Sequence, residues 1–562
     1  MQKNSHFIIP VLLLVLLVLS QLFYVRADMT ADRRFSFSPS TFAVLESVQE
    51  PVQINVFLAG DLTGNFKILR NETQYFLNEL QRRNPQINYR FIDPLKEELR
   101  IDSLRSIGVM DVSVPTEDKI LRVFPYATLT TDERSVTLPL LSDRKIPIDD
   151  RALVSVELLE STFIKELHRL HRDHRMHLGM IVHNDQLLPN YLDGFFRVVS
   201  RDYDITPYTR PLQDSVPSLQ ISDIDSLMQF DALIMAKPLS PLSDTDKLVL
   251  DQYLMRDGKI LWLMENVDAE MDSLFRSERI VAFPRENATT EMLFSYGMRI
   301  TPSVVKDLQS GFITLAIGAV GGNTAYEQFP WPYFPIAMPS GQHSITRKIG
   351  NPLRFEFANP IEILPREGVE HTVLLTSSPN VQLQKPLTFI QFDEIEHVDI
   401  NNYPTHEGVY PLAVLAEGEL PSAYAGRMQS TQVPNFVAKS QNGKLLLISD
   451  GDFIKNHIFR GEALPLGADK YTLRPDMQAN ASVIYGNGQF LLNALDYLTG
   501  NDALIEITSK ERRLELLDRN MVRAEKGIWR WINLLIPVGL ISLLAGLGIW
   551  YRRKRYTTHL KS

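Results

Sequence analysis

Two apolar runs at opposite ends of the chain restrict its fold more than any other feature. Residues 7–25 are apolar apart from Pro10, Ser20 and Gln21, and residues 532–551 are broken only by Asn533, Pro537, Ser542 and a few glycines. An α-helix needs about 20 such residues to cross the hydrocarbon core of a bilayer. Trp529 and Trp531 at one end of the second run, and Trp550 and Tyr551 at the other, match the aromatic belts of the two interfaces. Everything between the runs is then expected to fold as one body on one side of a membrane. Arg552, Arg553, Lys554 and Arg555 follow the second run directly and place the C-terminus in the cytoplasm. Arg26, Arg33 and Arg34 outnumber Lys3 around the first run and pull the other way, but the denser cluster decides. The expectation is a two-span protein of the inner, cytoplasmic membrane with both termini inside and its body in the periplasm. A cleaved signal peptide ending near Val25-Arg26-Ala27 is the competing reading of the first run. That run exceeds the roughly 7 to 15 apolar residues of a signal peptide, which favours an anchor.

Composition narrows the function classes. A charged fraction of 22% and a hydrophobic fraction of 44% are ordinary for a globular body, and a net charge of -9 offers nucleic acid no attraction. Cysteine is absent, which removes disulfides, thiolate metal sites and cysteine nucleophiles together. No G-x-x-x-x-G-K-[ST] and no G-x-S-x-G occurs, so P-loop ATP binding and a nucleophile elbow are excluded. No cofactor is implied, and any energy source belongs to a partner.

Hydrophobic spacing divides the body. Strand-like alternation at 51–57 and 87–92 flanks helical spacing at 66–82, a β-α-β unit without Cys-x-x-Cys that resembles the scaffold of a thioredoxin-like domain over 35–148. A helix at 152–170 opens a second region, an α/β domain over 149–301. Its strands fall at 178–183, 232–236 and 259–264, with a helix near 191–199. A further helix is capped by Ser243 with Asp246 three residues on. Residues 302–440, rich in short apolar runs and turn residues, read as a β-rich insertion. The α/β pattern resumes over 441–502 with a strand at 444–449 and a helix at 489–498. Residues 503–528 form a juxtamembrane helix, 529–551 the second span and 552–562 a basic tail. On that helix Leu517, Met521, Ala524 and Ile528 make one apolar stripe, either the side of a rigid connector or a docking surface for another membrane subunit.

Two constellations invite chemistry. His168, His171, His174 and His177 recur every three residues, but on a helix that spacing fans them round the surface, so a solvated basic helix end accounts for them better than a metal site. Asp450 and Asp452, and also Glu265 and Asn266, follow strands at the edge where open α/β sheets bind ligands. These four make a candidate ligand crevice. The competing reading gives Asp450 to a turn and Asp452 to the cap of a helix beginning at Phe453. No catalytic set and no metal set is assigned.

Several segments in this order carry a resemblance to a known family: 89–94, 250–264 (LDQYLMRDGKILWLM), 410–424 (YPLAVLAEGELPSAY), 445–456 (LLLISDGDFIKN) and 486–498 (GNGQFLLNALDYL). The chain resembles GldG, the gliding-motility auxiliary ABC-transporter protein of Bacteroidetes. The resemblance implies a non-catalytic subunit working with a separate ABC ATPase and a multi-span permease, in contact with envelope or motility machinery. It also implies a central domain similar in fold to class I glutamine amidotransferases. A membrane-tethered receptor for a small ligand or glycan is the alternative.

Overall fold

The computed structural model describes residues 37–501 except for the stretches 98–99, 117–118, 143–146, 172–174, 183–186, 210–217, 286–288, 321–322, 340–341, 348 and 398–408. It also describes Ile505 and parts of 535–550. Two compact units result, residues 1–511 and 512–562. In the second unit the described residues are helical, with Leu535, Ile541 and Leu547 among its exposed apolar side chains. No helix among the described residues is long and apolar enough to cross a membrane. The first apolar run and the stripe from Leu517 to Ile528 lie outside the described residues.

Helix α1 (Pro39–Ser47), strand β1 (Val52–Val56), helix α2 (Gly64–Arg83) and strand β2 (Ile87–Phe91) open the first unit, followed by strands β3 (Tyr126–Thr130) and β4 (Ser135–Pro139) and helix α3 (Ile148–Leu170). The four strands form a sheet ordered β2-β1-β3-β4, in which only β1 and β2 run parallel. The crossover helix α2 buries Phe66, Leu69, Leu77 and Leu80, spaced so that they share one face. They meet Leu159, Phe163, Ile164 and Leu167 of α3 in a single core. Helix α3 therefore closes the N-terminal core, although the sequence reading opened a new domain with it. Its first turn is pinned there: Asp149 accepts hydrogen bonds from Thr63 Oγ1 at 2.7 Å and Asn65 Nδ2 at 2.8 Å.

The chain then enters a ten-stranded sheet. Its parallel run comprises β5 (Met176–Ile181), β6 (Tyr203–Tyr208), β7 (Ala232–Ala236), β8 (Lys259–Leu263) and, much later in the chain, β13 (Gly443–Ile448). Helices α4 (Asp193–Val199), α5 (Asp244–Met255) and α6 (Asn487–Leu498) cover it. Successive side chains of a strand point to opposite faces, so a strand buried on both sides must be apolar throughout. Ala232, Ile234 and Ala236 of β7 accordingly pack with α4 and α6, while Leu233 and Met235 pack with α5. Ser243 caps α5 with the reciprocal Asp246 bond that the sequence predicts.

The remaining strands are β9 (Ser310–Val320), β10 (Asn323–Pro339), β11 (Val369–Thr376) and β12 (Pro411–Gly418). The full order is β9-β10-β11-β12-β13-β8-β7-β5-β6, with the short strand Leu353–Arg354 beside β10. Residues 302–440 thus extend the central sheet through antiparallel pairing of β12 on β13, where the sequence reading placed a separate insertion. The signal was present in the unbroken run Leu412 to Ala416, every residue of which is buried.

Candidate functional site

Strands β7, β8 and β13 point the same way and end together, so the residues that follow them share one rim of the sheet. Lys237 follows β7 at a φ of 48°, in the left-handed region that a lysine rarely adopts. Its backbone N–H holds the carbonyl of Leu263 at 2.9 Å, and its side chain is 1% exposed. The ammonium lies 2.6 Å from Asp452 Oδ2 and 3.4 Å from Glu265 Oε1, and also binds Glu270. Lys455 adds a second cation 3.0 Å from Asp452 Oδ1. Arg285 reaches Glu265 at 3.3 Å and Asp268 at 2.8 Å. Gly451 makes the approach possible: a Cβ there would stand 2.4 Å from Lys237 Cγ.

A second cluster adjoins the first. Arg354 binds Asp469 at 2.7 Å and also Glu356, and its guanidinium lies over the rings of Phe334 and Tyr485. His457 Nδ1 accepts the backbone N–H of Lys470 at 3.1 Å, which fixes the neutral ring as the Nε2–H tautomer, and Nε2 faces Glu356 Oε1 at 2.9 Å. Asp450 joins the clusters. It accepts the N–H of Glu356 at 2.7 Å and the N–H of Asp452 at 2.7 Å, and so caps the 3-10 turn Gly451–Ile454.

The electrostatics sort these acids into two kinds. Burial alone pushes all of them up, and for Asp450 the neighbouring Asp452 charge pushes further, so its carboxyl sits well above the usual range. Glu265 is likewise raised, chiefly by burial. Against the same burial, Lys237 and Lys455 hold Asp452 below the usual range, and Arg354 with His457 brings Glu356 down to about 2. Lys237 itself is held well above the usual lysine value, because three carboxylates outweigh its desolvation. Fixed ion pairs therefore stand beside Asp450, a carboxyl that favours its neutral form.

Between the clusters lies a small cavity lined by Arg354, Asp450, Lys455, His457, Tyr485 and Asn487 among others. Its volume of about 20 Å³ gives room for one or two waters. Glu265, Asp450 and Asp452 place carboxylate oxygens within 4.8 Å of one another, the spacing of a metal site. The chemistry does not fit a metal. The Lys237 ammonium already stands against two of these carboxylates, and both Asp450 oxygens accept backbone N–H groups. Nor does the rim carry an acyl-transfer set: the Ser449 hydroxyl donates to the Leu412 carbonyl at 3.0 Å, and both ring nitrogens of His457 are engaged.

Of the four crevice residues named from sequence, the structure brings Glu265, Asp450 and Asp452 together and turns Asn266 away. The Asn266 amide donates to the Ile300 carbonyl at 2.8 Å. The cap expected at Asp452 belongs to Asp450, because Asp452 is committed to the two lysines. Sequence reasoning missed Lys237, Glu270, Arg354, Glu356, Lys455 and His457. A usable signal existed for three: Lys237 is a charge abutting an all-apolar strand, and Arg354 and Glu356 alternate with Phe355 and Phe357. The histidines do not converge. His168 contacts Asn501 at 3.1 Å, His171 caps the end of α3 on the Leu167 carbonyl at 2.9 Å, and His177 stands exposed on β5. His174 lies outside the described residues.

Comparison with known proteins follows the same boundary. A family model for an auxiliary component described as an ABC-type uncharacterized transport system matches residues 175–494, and a model described only as a domain of unknown function matches 31–130. No curated protein matches. Among solved structures, the chain is similar to the mmIFT52 N-terminal domain at 11% identity and a TM-score of 0.32, covering 57% of this chain and 97% of that one. It is similar to a putative ThuA-like protein from Parabacteroides merdae at 8% identity and 0.28, covering 58% and 90%. An exo-beta-1,4-mannosidase from an Opitutaceae bacterium matches at 10% identity and 0.21, covering 54% and 35%.

Proposed function

This chain belongs to the family of ABC-type transport-system auxiliary proteins, and from that premise we propose that it serves as a non-catalytic membrane subunit beside a separate ATPase and a separate permease. The observation that carries the proposal is the family match over 175–494, the stretch that contains the whole central sheet. The rim is consistent with it: its ions are paired with one another, as in a scaffold. Two spans with both termini cytoplasmic, a periplasmic body and a role in gliding motility are the finer parts of the proposal. The apolar runs at 7–25 and 532–551 support the topology. Thioredoxin-like and amidotransferase-like scaffolds also belong to it, supported by the order β2-β1-β3-β4 and by the parallel run β13-β8-β7-β5-β6.

The test is purification of the tagged full-length protein from its own host in mild detergent, with identification of what accompanies it. An ABC ATPase and a multi-span permease at comparable amounts are expected; recovery of the chain alone overturns the subunit reading. A second reading is a tethered receptor, for which the polar cavity at the rim, with room here for one or two waters, would have to open. It requires that Asp450→Asn with Asp452→Asn abolish function while the complex is still recovered.

A further inference from the structure

The last turn of α3, the turn that leads into β6 and the end of α6 meet in one buried knot, where the N-terminal core joins the central sheet. Ion pairs make its first half. Arg169 of α3 grips both carboxylate oxygens of Asp202, with Nη2 2.7 Å from Oδ2, and it also binds Glu166, which Arg201 reaches at 2.8 Å. Hydrogen bonds make the second half. The Asn501 carbonyl oxygen can only accept, so His168 Nε2, 3.1 Å away, donates to it. The backbone N–H of Asn501 donates to the Asp496 carbonyl at 2.7 Å. Tyr203, the neighbour of Asp202 in sequence, places its hydroxyl 2.6 Å from Asp496 Oδ1 and 3.2 Å from Thr499 Oγ1.

Asp496 differs from the other acids of the knot. It is 4% exposed and has no lysine or arginine bonded to it among the described residues, whereas Asp202 and Glu166 have theirs. The hydrogen count fixes its state. The Thr499 hydroxyl donates to the Leu495 carbonyl at 2.8 Å, so the proton between Thr499 and Tyr203 has to come from Tyr203. The short contact between Tyr203 and Asp496 then lacks a proton unless Asp496 carries one. With Asp496 neutral, an unbroken relay runs from its carboxyl through Tyr203 and Thr499 to Leu495. With Asp496 ionised, Tyr203 turns its proton to the carboxylate, and the Tyr203 and Thr499 oxygens face each other unbonded. Burial agrees, pushing Asp496 up to about 7; the Tyr203 hydroxyl and Lys165 oppose it, and Asp202 reinforces it. The other elements on α6, namely α4, β8 and the turn Gly451–Ile454, meet it through Phe195, Val199, Leu261, Leu263, Phe453 and Ile454. The charges of α4 and of that turn are engaged elsewhere: Asp193 and Arg197 are exposed, and Asp452 is held by Lys237 and Lys455.

We propose that Asp496 is a proton-operated latch between the N-terminal core and the central sheet: it holds a proton while the end of α3 is docked on the end of α6, and loss of that proton releases the end of α3. Two routes carry the release. Asn501 links Asp496 to His168, and the adjacent pair Tyr203 and Asp202 links it to Arg169. In the docked form burial holds the carboxyl near 7, and in the released form an aspartate returns to about 3.9. Between those two values each rise of one pH unit favours release about tenfold. Docking is therefore tightest in acid and loosens as pH rises to 7, above which nothing more is lost.

Amide hydrogen exchange on the full-length protein in mild detergent tests this, each rate being divided by the intrinsic rate at the same pH. Protection of residues 166–171 and 496–501 is expected to fall by about 10- to 100-fold between pH 5 and pH 7, while strand β7 keeps its own. Asp496→Asn cannot ionise and retains a donor for Tyr203, so it should hold the protection of both segments constant over that range. Unchanged protection in the natural protein, an equal fall in β7, or an equal fall in Asp496→Asn overturns the proposal. The first two of these outcomes need no variant, so the test decides even where Asp496→Asn fails to fold.

Discussion

In the N-terminal sheet, strands β1 and β2 run into loops whose charges stay in water. Asp61 and Lys119 pair there at 63% and 59% exposure, and Asp93 accepts the N–H groups of Leu95 and Lys96 at the surface. In the central sheet, β7, β8 and β13 run into a rim where Lys237, Asp452 and Glu265 are sealed at 1%, 3% and 6%. Both regions place charge at the ends of parallel strands, yet only one removes it from solvent. Strand ends thus provide a position, and what is built there depends on whether later segments cover it. Over the central rim, segments around Arg354 and His457 do so.

Lys237→Met is the strongest way to break this contrast. It leaves the buried Glu265 and Asp452 and the part-buried Glu270 with only Lys455 and Arg285 for cations, and a loss of about 3 to 5 kcal/mol is expected from the urea midpoint. Lys119→Met, at the N-terminal rim, should leave the midpoint unchanged. Gly451→Ala comes next. Its Cβ would displace the Lys237 side chain and cost about 1 to 3 kcal/mol, whereas Gly64→Ala meets nothing within 4 Å and should be neutral or mildly stabilising.

The smallest effect sharpens the contrast through pH. Burial on α6 pushes Asp496 up to about 7, above its unfolded value, so its contribution is complete at low pH and is lost as pH rises through 7. Asp496→Asn should flatten the fall in stability between about pH 4 and pH 7. The N-terminal Asp111 has the opposite sign. Its bond from Arg122 lowers its value, so its contribution is present at neutral pH and disappears on acidification.

Much of the scaffold was legible in sequence. Strand β7 is seen where its apolar run places it, and the Ser243–Asp246 box forms as its spacing requires. The affiliation of elements was harder to read. Helix α3 has the same amphipathic pattern whichever core it serves, and the clamp from Thr63 and Asn65 decides between them. Half of the rim was hidden for a related reason: Lys237 and Asp452 are 215 residues apart, and neither residue's neighbours specify the other.

By itself the sequence determined the properties that depend on near neighbours. These are the apolar runs at the two ends, the alternation of strands and helices, the caps, and the absence of thiol chemistry. The tertiary structure alone decided which strand lies beside which. That order brings three strand ends together and buries their charges where burial and pairing set each one's ionisation. Periodicity and capping act over a few residues, whereas ion pairing and desolvation depend on distance in space, which the sheet order fixes only once the chain has folded.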